Sequence, residues 1–165
     1  MPWRSIHTLA ILALAGFLSA GTGGVLAQQA SLKDQLIGTW TLVSVADIYE
    51  NGRKVDDWGK GVGGAVSFDA NGRFTYMIIG ANLPDRTNSP RVSSRMVVAY
   101  YGRYTVDDAK RTVTYTADRS TNPGFDGGNR TATLALSGDD MTQRSQPLKT
   151  PRSTLIPETV FKRAK

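Results

Sequence analysis

Apolar and polar residues alternate with a period of two along most of the chain after residue 38, in short runs separated by glycine, asparagine, aspartate and proline. This alternation is typical of β-strands with one buried face, because successive side chains of a strand point to opposite sides of the sheet. The strongest turn signal is Asn71-Gly72, a pair that accepts the positive φ angles of a tight hairpin at little cost. Only residues 31–37 have the pattern of a short helix, with Ser31 as the N-cap.

About eight runs are predicted as strands, and most of them follow one another through short turns. They are residues 39–48, 65–68, 73–79, 96–106, 111–117, 130–136, 141–145 and 155–163. Consecutive antiparallel hairpins with one apolar face favour an all-β fold, an up-and-down antiparallel eight-stranded β-barrel. A two-sheet sandwich is the alternative. The chain has no internal repeat and no interior linker, so a single domain is predicted over residues 28–165.

Residues 1–27 have the pattern of a secretory signal peptide. Arg4 gives a basic start, residues 9–18 are almost wholly apolar, and residues 25–27 form a small-x-small cleavage site. The apolar run is about half of the ~20 residues that a transmembrane helix needs. The sequence therefore predicts a periplasmic or secreted protein with no integral membrane segment after cleavage.

The chain contains no cysteine and a single histidine, His7, which lies in the predicted signal peptide. A mature protein without either residue lacks disulfides, thiolate and imidazole metal ligands, and the usual general base, so no metal, cofactor or catalytic residue is predicted. Cleavage removes only Arg4 among the charged residues, which lowers the net charge from +6 to about +5. Because the remaining basic residues are interspersed with acidic ones, nucleic acid is not expected as a partner.

The predicted barrel interior carries hydroxyl groups among its apolar side chains. Its inward-facing residues are Trp40, Leu42, Ser44, Val66, Phe68, Phe74, Tyr76, Ile78, Val98, Tyr100, Tyr104, Val113, Tyr115, Leu134 and Leu136. A buried tyrosine needs a hydrogen-bond partner, so four of them in one interior favour a cavity that holds a ligand or water over a fully packed core. The predicted ligand-binding residues are Tyr76, Tyr100, Tyr104, Tyr115, Ser44 and Phe68. The partner expected is a small hydrophobic or amphipathic molecule.

Several motifs resemble the lipocalin-like domain family of bacteria and fungi. Residues 38–40 are similar to the opening Gly-x-Trp signature of lipocalin barrels, and residues 99–106 resemble the family's central strand. The Asn122-Pro123 loop and residues 138–141 resemble a later loop and hairpin, so the matches span about residues 32–163. The resemblance implies a lipocalin-like barrel that binds a small, mostly apolar ligand for carriage or sequestration.

Two features depart from that family's pattern. Tyr115 and Thr116 stand where many members have a pair of histidines, so a role for those imidazoles does not carry over. The segment 80–95 is basic and contains two prolines, whereas it is often helical and acidic in the family. Its arginines are interpreted as part of a solvated loop, with a gate for an anionic ligand as the alternative. These arginines are Arg86, Arg91 and Arg95.

Gly38, Trp40 and Arg163 are predicted to be structural. Trp40 is suited to close one end of a barrel, and a long cation from the last strand is expected across its ring, in a contact of about 0.5–2 kcal/mol. Arg163 is the candidate because it follows Phe161 by two residues and so shares its face. Lys162 is the competitor, since a shift of one residue in register exchanges the two faces.

Two further hypotheses remain beside ligand binding by a monomer. The first is an isomerase or cyclase that acts on a hydrophobic substrate and uses Asp118 or a tyrosine for proton transfer, as a buried carboxyl with a raised pKa can do. Asp118 ends a predicted strand, where it also fits an ordinary turn former. The second is a structural or interaction module whose barrel is filled by its own side chains.

Overall fold

The structure, a computed structural model, describes residues 30–56, 58–81, 97–151 and 153–165. The predicted signal peptide and the arginines Arg86, Arg91 and Arg95 lie outside the described residues. One short helix, α1 (Leu32–Leu36), precedes the strands, and a 3₁₀ turn spans Pro123–Phe125. The strands are β1 (Gly38–Tyr49), β2 (Lys54–Val55), β3 (Gly63–Phe68), β4 (Arg73–Ile79), β5 (Val97–Asp107), β6 (Thr112–Ser120), β7 (Asn129–Ser137), β8 (Asp140–Ser145), β9 (Leu148–Lys149) and β10 (Thr154–Arg163).

Eight of these strands form a closed antiparallel barrel. They follow the order β1-β3-β4-β5-β6-β7-β8-β10, and β10 pairs back onto β1 along nearly its whole length. The predicted eight-stranded up-and-down barrel is therefore confirmed, and the sandwich alternative is wrong. The remaining two strands, β2 and β9, are two-residue additions that pair with β1 and β10. They are too short to show any alternation, so the sequence did not predict them.

The local signals at the helix and at the first hairpin act as predicted. The Ser31 hydroxyl accepts a hydrogen bond from the backbone N–H of Asp34 at 3.1 Å, which caps α1. Gly72 has a φ of +81° in the turn between β3 and β4, a conformation that favours glycine. Helix α1 buries Leu32 and Leu36 against one end of the barrel, the closed end.

A β-bulge in β1 changes which residues of the strand face the barrel interior. The register of β1 against β10 shifts between Leu42 and Ser44, so Val43 is the extra residue, and it is 57% exposed. One added residue moves all following side chains to the other face of a strand. Val45 and Asp47 therefore face the interior, and Ser44 belongs to the outer face. The prediction that Ser44 points into the barrel is wrong for this reason.

The half of the barrel next to α1 is a packed core. Its largest side chains are almost completely buried, and they are Trp40, Phe161, Leu36, Met141, Val66 and Val113. Four more rings pack against one another there, mostly edge to face, as aromatic rings prefer. These rings are Phe68, Phe74, Tyr104 and Tyr115, with centroids 4.8–6.0 Å apart in the contacting pairs. Buried side chains in contact with one another therefore fill this half of the barrel.

One buried carboxylate, that of Glu158, lies on the outer wall of the barrel. It pairs with Lys54 of β2 and with Arg144 of β8, the latter at 2.7 Å. Burial raises the pKa of Glu158, but the hydrogen bonds from Lys54 and Arg144 outweigh it and hold the pKa below its ordinary value. The carboxylate is therefore charged at neutral pH and fastens β2 and β8 to β10.

Candidate functional site

The closed end of the barrel is plugged by Trp40. Its indole Nε1 donates a hydrogen bond to the carbonyl oxygen of Leu36 at 2.8 Å. The guanidinium of Arg163 lies over the indole, 4.1 Å from the ring centroid. Lys162 is exposed, on the face opposite to Arg163, so the cation that covers Trp40 is Arg163.

Arg163 also holds the connection between α1 and β1. Its Nη2 and Nη1 donate to the carbonyl oxygens of Gln35 and Ile37 at 2.7 and 3.0 Å. Gly38 follows at a φ of +119°, and a Cβ atom at this position would stand 3.3 Å from the same guanidinium. Gly38, Trp40 and Arg163 thus form one unit that closes the barrel, and Nε of Arg163 also pairs with Oδ1 of Asp139 at 3.6 Å.

The opposite half of the barrel contains a cavity of about 340 Å³. Its apolar wall consists of Val45, Trp58, Ile78, Val98, Phe125, Leu148, Leu155 and Pro157. Its polar side chains are Asp47, Tyr76, Tyr100, Arg130, Ser145, Thr150 and Thr159. A mostly apolar wall with a few convergent polar groups is the usual composition of a pocket for a small molecule, and such pockets occupy about 300–1,000 Å³.

Tyr76 and Tyr100 separate this cavity from the packed core. They are partners across β4 and β5, and their rings stack with centroids 4.8 Å apart. Burial raises the pKa of Tyr76 to about 12, although a hydrogen bond with Thr159 acts against the increase. Burial also raises the pKa of Tyr100 well above its ordinary value, and the neighbouring Tyr76 adds to the effect. Both phenols are therefore protonated at neutral pH and are hydrogen-bond donors.

A single arginine side chain lines the cavity within the part of the chain that the structure describes. This is Arg130, near the start of β7, where it is the partner of Tyr115 on β6. Directly paired residues share a face of the sheet, and Tyr115 is buried in the interior, so Arg130 points inwards. Its guanidinium lies over the ring of Phe125, 3.7 Å from the centroid.

Residues 37–164 match the profile of the lipocalin-like domain family, from the residue before Gly38 to the one after Arg163. This match covers well over half of the chain. The chain belongs to the lipocalin-like domain family. A search of curated proteins finds no match. Membership agrees with the closed barrel and with the Gly-x-Trp sequence at its plugged end.

Three of the six predicted ligand-binding residues belong to the packed core of this lipocalin-like barrel. Tyr104 donates its hydroxyl to the carbonyl oxygen of Asp69 at 2.7 Å, and Tyr115 donates to Oε1 of Gln143 at 3.0 Å. Phe68 packs against the rings of both tyrosines. Buried tyrosines need hydrogen-bond partners, and this need favoured a cavity in the sequence-based prediction. For Tyr104 and Tyr115 the protein itself supplies these partners.

The structure brings Tyr76 and Tyr100 to the cavity of the lipocalin-like barrel and adds residues that the sequence did not indicate. Asp47 enters only because the bulge in β1 changes its face. Phe125 comes from the 3₁₀ turn that follows Asn122, outside the predicted strands. Arg130 had a usable signal, because it precedes two inward-facing residues, Ala132 and Leu134, at a spacing of two.

Asp118, the candidate proton-transfer residue of the alternative hypothesis, lies on the outer wall. A register shift between β5 and β6 leaves it without a strand partner beside Gly102. Its Oδ2 accepts a hydrogen bond from Nη2 of Arg73 at 2.9 Å, and both side chains are about two-fifths exposed. Asp118 is therefore not in contact with the cavity, and Arg73 already neutralises it.

The described residues of the lipocalin-like barrel show neither a metal-binding cluster nor a membrane-spanning helix. Within them, aspartate, glutamate, histidine and cysteine side chains nowhere form a group of three that would hold a metal ion. In the same part of the chain, no helix is both long enough and apolar enough to span a membrane.

Proposed function

We propose that this lipocalin-like protein is exported and binds a small, mostly apolar molecule in the cavity, for carriage or for sequestration. The observation that carries the proposal is the cavity of about 340 Å³, which has a mainly apolar wall and lies at the end of the barrel opposite the Trp40 plug. A packed core at one end and an open space at the other is the arrangement that a one-ligand barrel needs.

The volume and the wall of the cavity indicate the size and shape of the ligand. A cavity of about 340 Å³ is at the lower end of the range of about 300–1,000 Å³ for small-molecule pockets, which favours a compact ligand. Tyr76, Tyr100 and Phe125 present ring faces and edges, and the Tyr100 and Phe125 centroids are 6.1 Å apart in an edge-to-face arrangement. Flat, ring-containing molecules are favoured, because such surfaces stack well.

The two alternative hypotheses receive less support from the geometry. A barrel filled by its own side chains does not fit with a cavity of this volume in one half of the interior. An isomerase or cyclase that depends on Asp118 does not fit with the position of this carboxylate on the outer wall, paired with Arg73. The cavity and the residues that line it therefore support ligand binding over both alternatives.

Ligand binding is tested by substituting tryptophan for Val98, a half-buried residue of β5 whose side chain lines the cavity. The neutral fluorophore N-phenylnaphthylamine is expected to bind the wild-type protein saturably, with increased emission in an apolar site. Val98→Trp fills part of the cavity and is expected to weaken this binding at least tenfold, equivalent to about 1.4 kcal/mol. Fluorescence titration of both proteins measures the effect.

The matched control is Val43→Trp, the same substitution at an exposed residue of the outer wall. It is expected to leave the affinity unchanged within about twofold, because Val43 points away from the interior. The proposal is contradicted if the wild-type protein shows no saturable binding, or if Val98→Trp binds the fluorophore as well as Val43→Trp does.

Export is supported by the apolar run 9–18 and the small-x-small site at residues 25–27. Expressed in a Gram-negative host, the protein is expected in the periplasmic fraction with Gln28 as its first residue, measured by fractionation and intact mass. Leu14→Arg places a charge within the apolar run and is expected to leave an uncleaved precursor in the cytoplasm, whereas Thr41→Arg on the outer wall is processed normally. A wild-type protein that stays full-length in the cytoplasm contradicts export.

A further inference from the structure

We infer that the molecule bound in the cavity is a planar aromatic acid, whose single anionic group pairs with Arg130. This inference rests on the proposed function, because it specifies the chemical class of the ligand of the same cavity. It depends on three observations about Arg130, which concern its direction, its free donors and its neighbours.

The first observation is that Arg130 is held inside the barrel. It pairs in register with Tyr115, and its side chain lines the cavity. The ring of Phe125 lies against one face of the guanidinium, with the guanidinium carbon 3.7 Å from the ring centroid. Stacking of this kind restrains a planar cation and leaves its N–H groups, which lie in its plane, available at the edges.

The second observation is that these N–H groups have no acceptor among the residues that the structure describes. The ion pairs of that part of the chain engage Arg73, Arg119, Arg144 and Arg163, but not Arg130. Its N–H groups also take part in none of the hydrogen bonds between described side chains. An arginine in a partly apolar site carries a desolvation cost, which a bound anion offsets. A carboxylate or sulfonate can accept two parallel hydrogen bonds from the N–H groups of one guanidinium.

The third observation concerns the groups around Arg130. Arg130, Tyr76 and Tyr100 line the same cavity. Burial raises the pKa values of both phenols, and the positive charge of Arg130 acts against the increase in each case. The phenol of Tyr100 has no hydrogen-bond partner within the described ranges and supplies a further donor for the same anion. The side chain of Asp47 lines the cavity from β1 and already interacts with another group. Its negative charge would repel a second acidic group on the ligand. The site therefore fits one acidic group on a flat apolar frame.

Two fluorophores with the same ring frame test the inference. Anilinonaphthalene sulfonate is an anion, and N-phenylnaphthylamine is its neutral counterpart without the sulfonate. The wild-type protein is expected to bind the anion at least tenfold more tightly than the neutral molecule. In Arg130→Gln this preference is expected to fall to about twofold or less, while the affinity for the neutral molecule changes by less than about threefold.

The matched control is Arg103→Gln, which removes the same charge from an exposed residue of β5 on the outer wall. It is expected to keep the full preference for the anion, which separates local pairing from net charge. Arg130→Lys retains the positive charge but cannot donate two parallel hydrogen bonds to one anionic group, so it is expected to keep part of the preference for the anion. If Arg130→Gln does not fold, as judged by circular dichroism, Arg130→Met supplies the same comparison.

The outcomes separate the inference from the proposed function. If the neutral molecule binds and the anion binds no more tightly, the inference is overturned and the proposed function stands. If the preference for the anion survives in Arg130→Gln and in Arg130→Met, the inference is also overturned. If neither fluorophore binds the wild-type protein saturably, the proposed function itself fails.

Discussion

Trp40→Ala is expected to lower the free energy of unfolding by about 3–5 kcal/mol, which is the usual cost of replacing a buried tryptophan with alanine. The side chain of Trp40 is fully buried and fills the closed end of the barrel, where the surrounding strands cannot collapse into the space. The variant also removes the hydrogen bond that attaches Leu36 of α1 to β1, and it removes the ring against which Arg163 stacks. Urea denaturation followed by circular dichroism measures the loss.

Two further variants test whether the loss of stability is specific to Trp40 or follows from removing any tryptophan. Trp58→Ala removes a partly buried indole at the cavity and is expected to cost less than about 1.5 kcal/mol, since the space is already open there. Trp40→Phe keeps an aromatic ring but leaves the Leu36 carbonyl without its donor, and an intermediate cost of about 1–3 kcal/mol is expected. Equal losses in Trp40→Ala and Trp58→Ala would contradict a structural role specific to Trp40.

The strands of this barrel are predictable from the sequence because the signals that define them are local. The run predicted over residues 73–79 is β4 (Arg73–Ile79), and it begins after the turn in which Gly72 adopts a positive φ. Alternation and turn residues act within a few positions of one another, and neither depends on the rest of the chain. The order of the strands then follows, since each hairpin places consecutive strands side by side.

The face of a strand is harder to predict where both of its faces are apolar. Around the bulge of β1, the sequence offers Val43 and Val45 in one phase and Leu42 and Ala46 in the other. Neither the composition nor the spacing marks the shift, which is visible only in the register against β10. An unbroken alternation predicts Ser44 in the interior, and a single extra residue in the strand moves it to the outer face.

The binding site is only partly predictable, because partners in space decide what each inward-facing group is free to do. Four tyrosines were correctly placed in the interior, but Tyr104 and Tyr115 use their hydroxyls on the protein itself. The sequence indicates that Arg130 faces inwards, because it alternates with Ala132 and Leu134. That Arg130 takes part in none of the ion pairs of the described residues depends on the assembled barrel. Local patterns therefore indicate which side chains are inside, and the fold decides which of them face a cavity.

Gly102→Ala is expected to lower the free energy of unfolding by about 2 kcal/mol or more, at the upper end of what overpacking in a core costs. A Cβ atom on Gly102 would overlap with the carbonyl oxygen of Thr116 and stand 2.9 Å from the backbone nitrogen of Asp118. Both atoms belong to the backbone of β6, so no side-chain rotation relieves the clash. The strands themselves must separate, which weakens the hydrogen bonds on either side of the bulge between Tyr101 and Gly102.

Gly63→Ala is the matched control, because Gly63 also lies in a strand and a Cβ there would meet no atom within 4 Å. Its cost is expected to stay within about 0.5 kcal/mol, as for an ordinary surface substitution. Both variants exchange glycine for alanine, but only at Gly102 does the neighbouring strand lie within contact distance of the added Cβ. The difference between their free energies of unfolding, measured by denaturation, is therefore the cost of that close contact. A Gly102→Ala protein as stable as Gly63→Ala would mean that β6 can withdraw from β5 without loss.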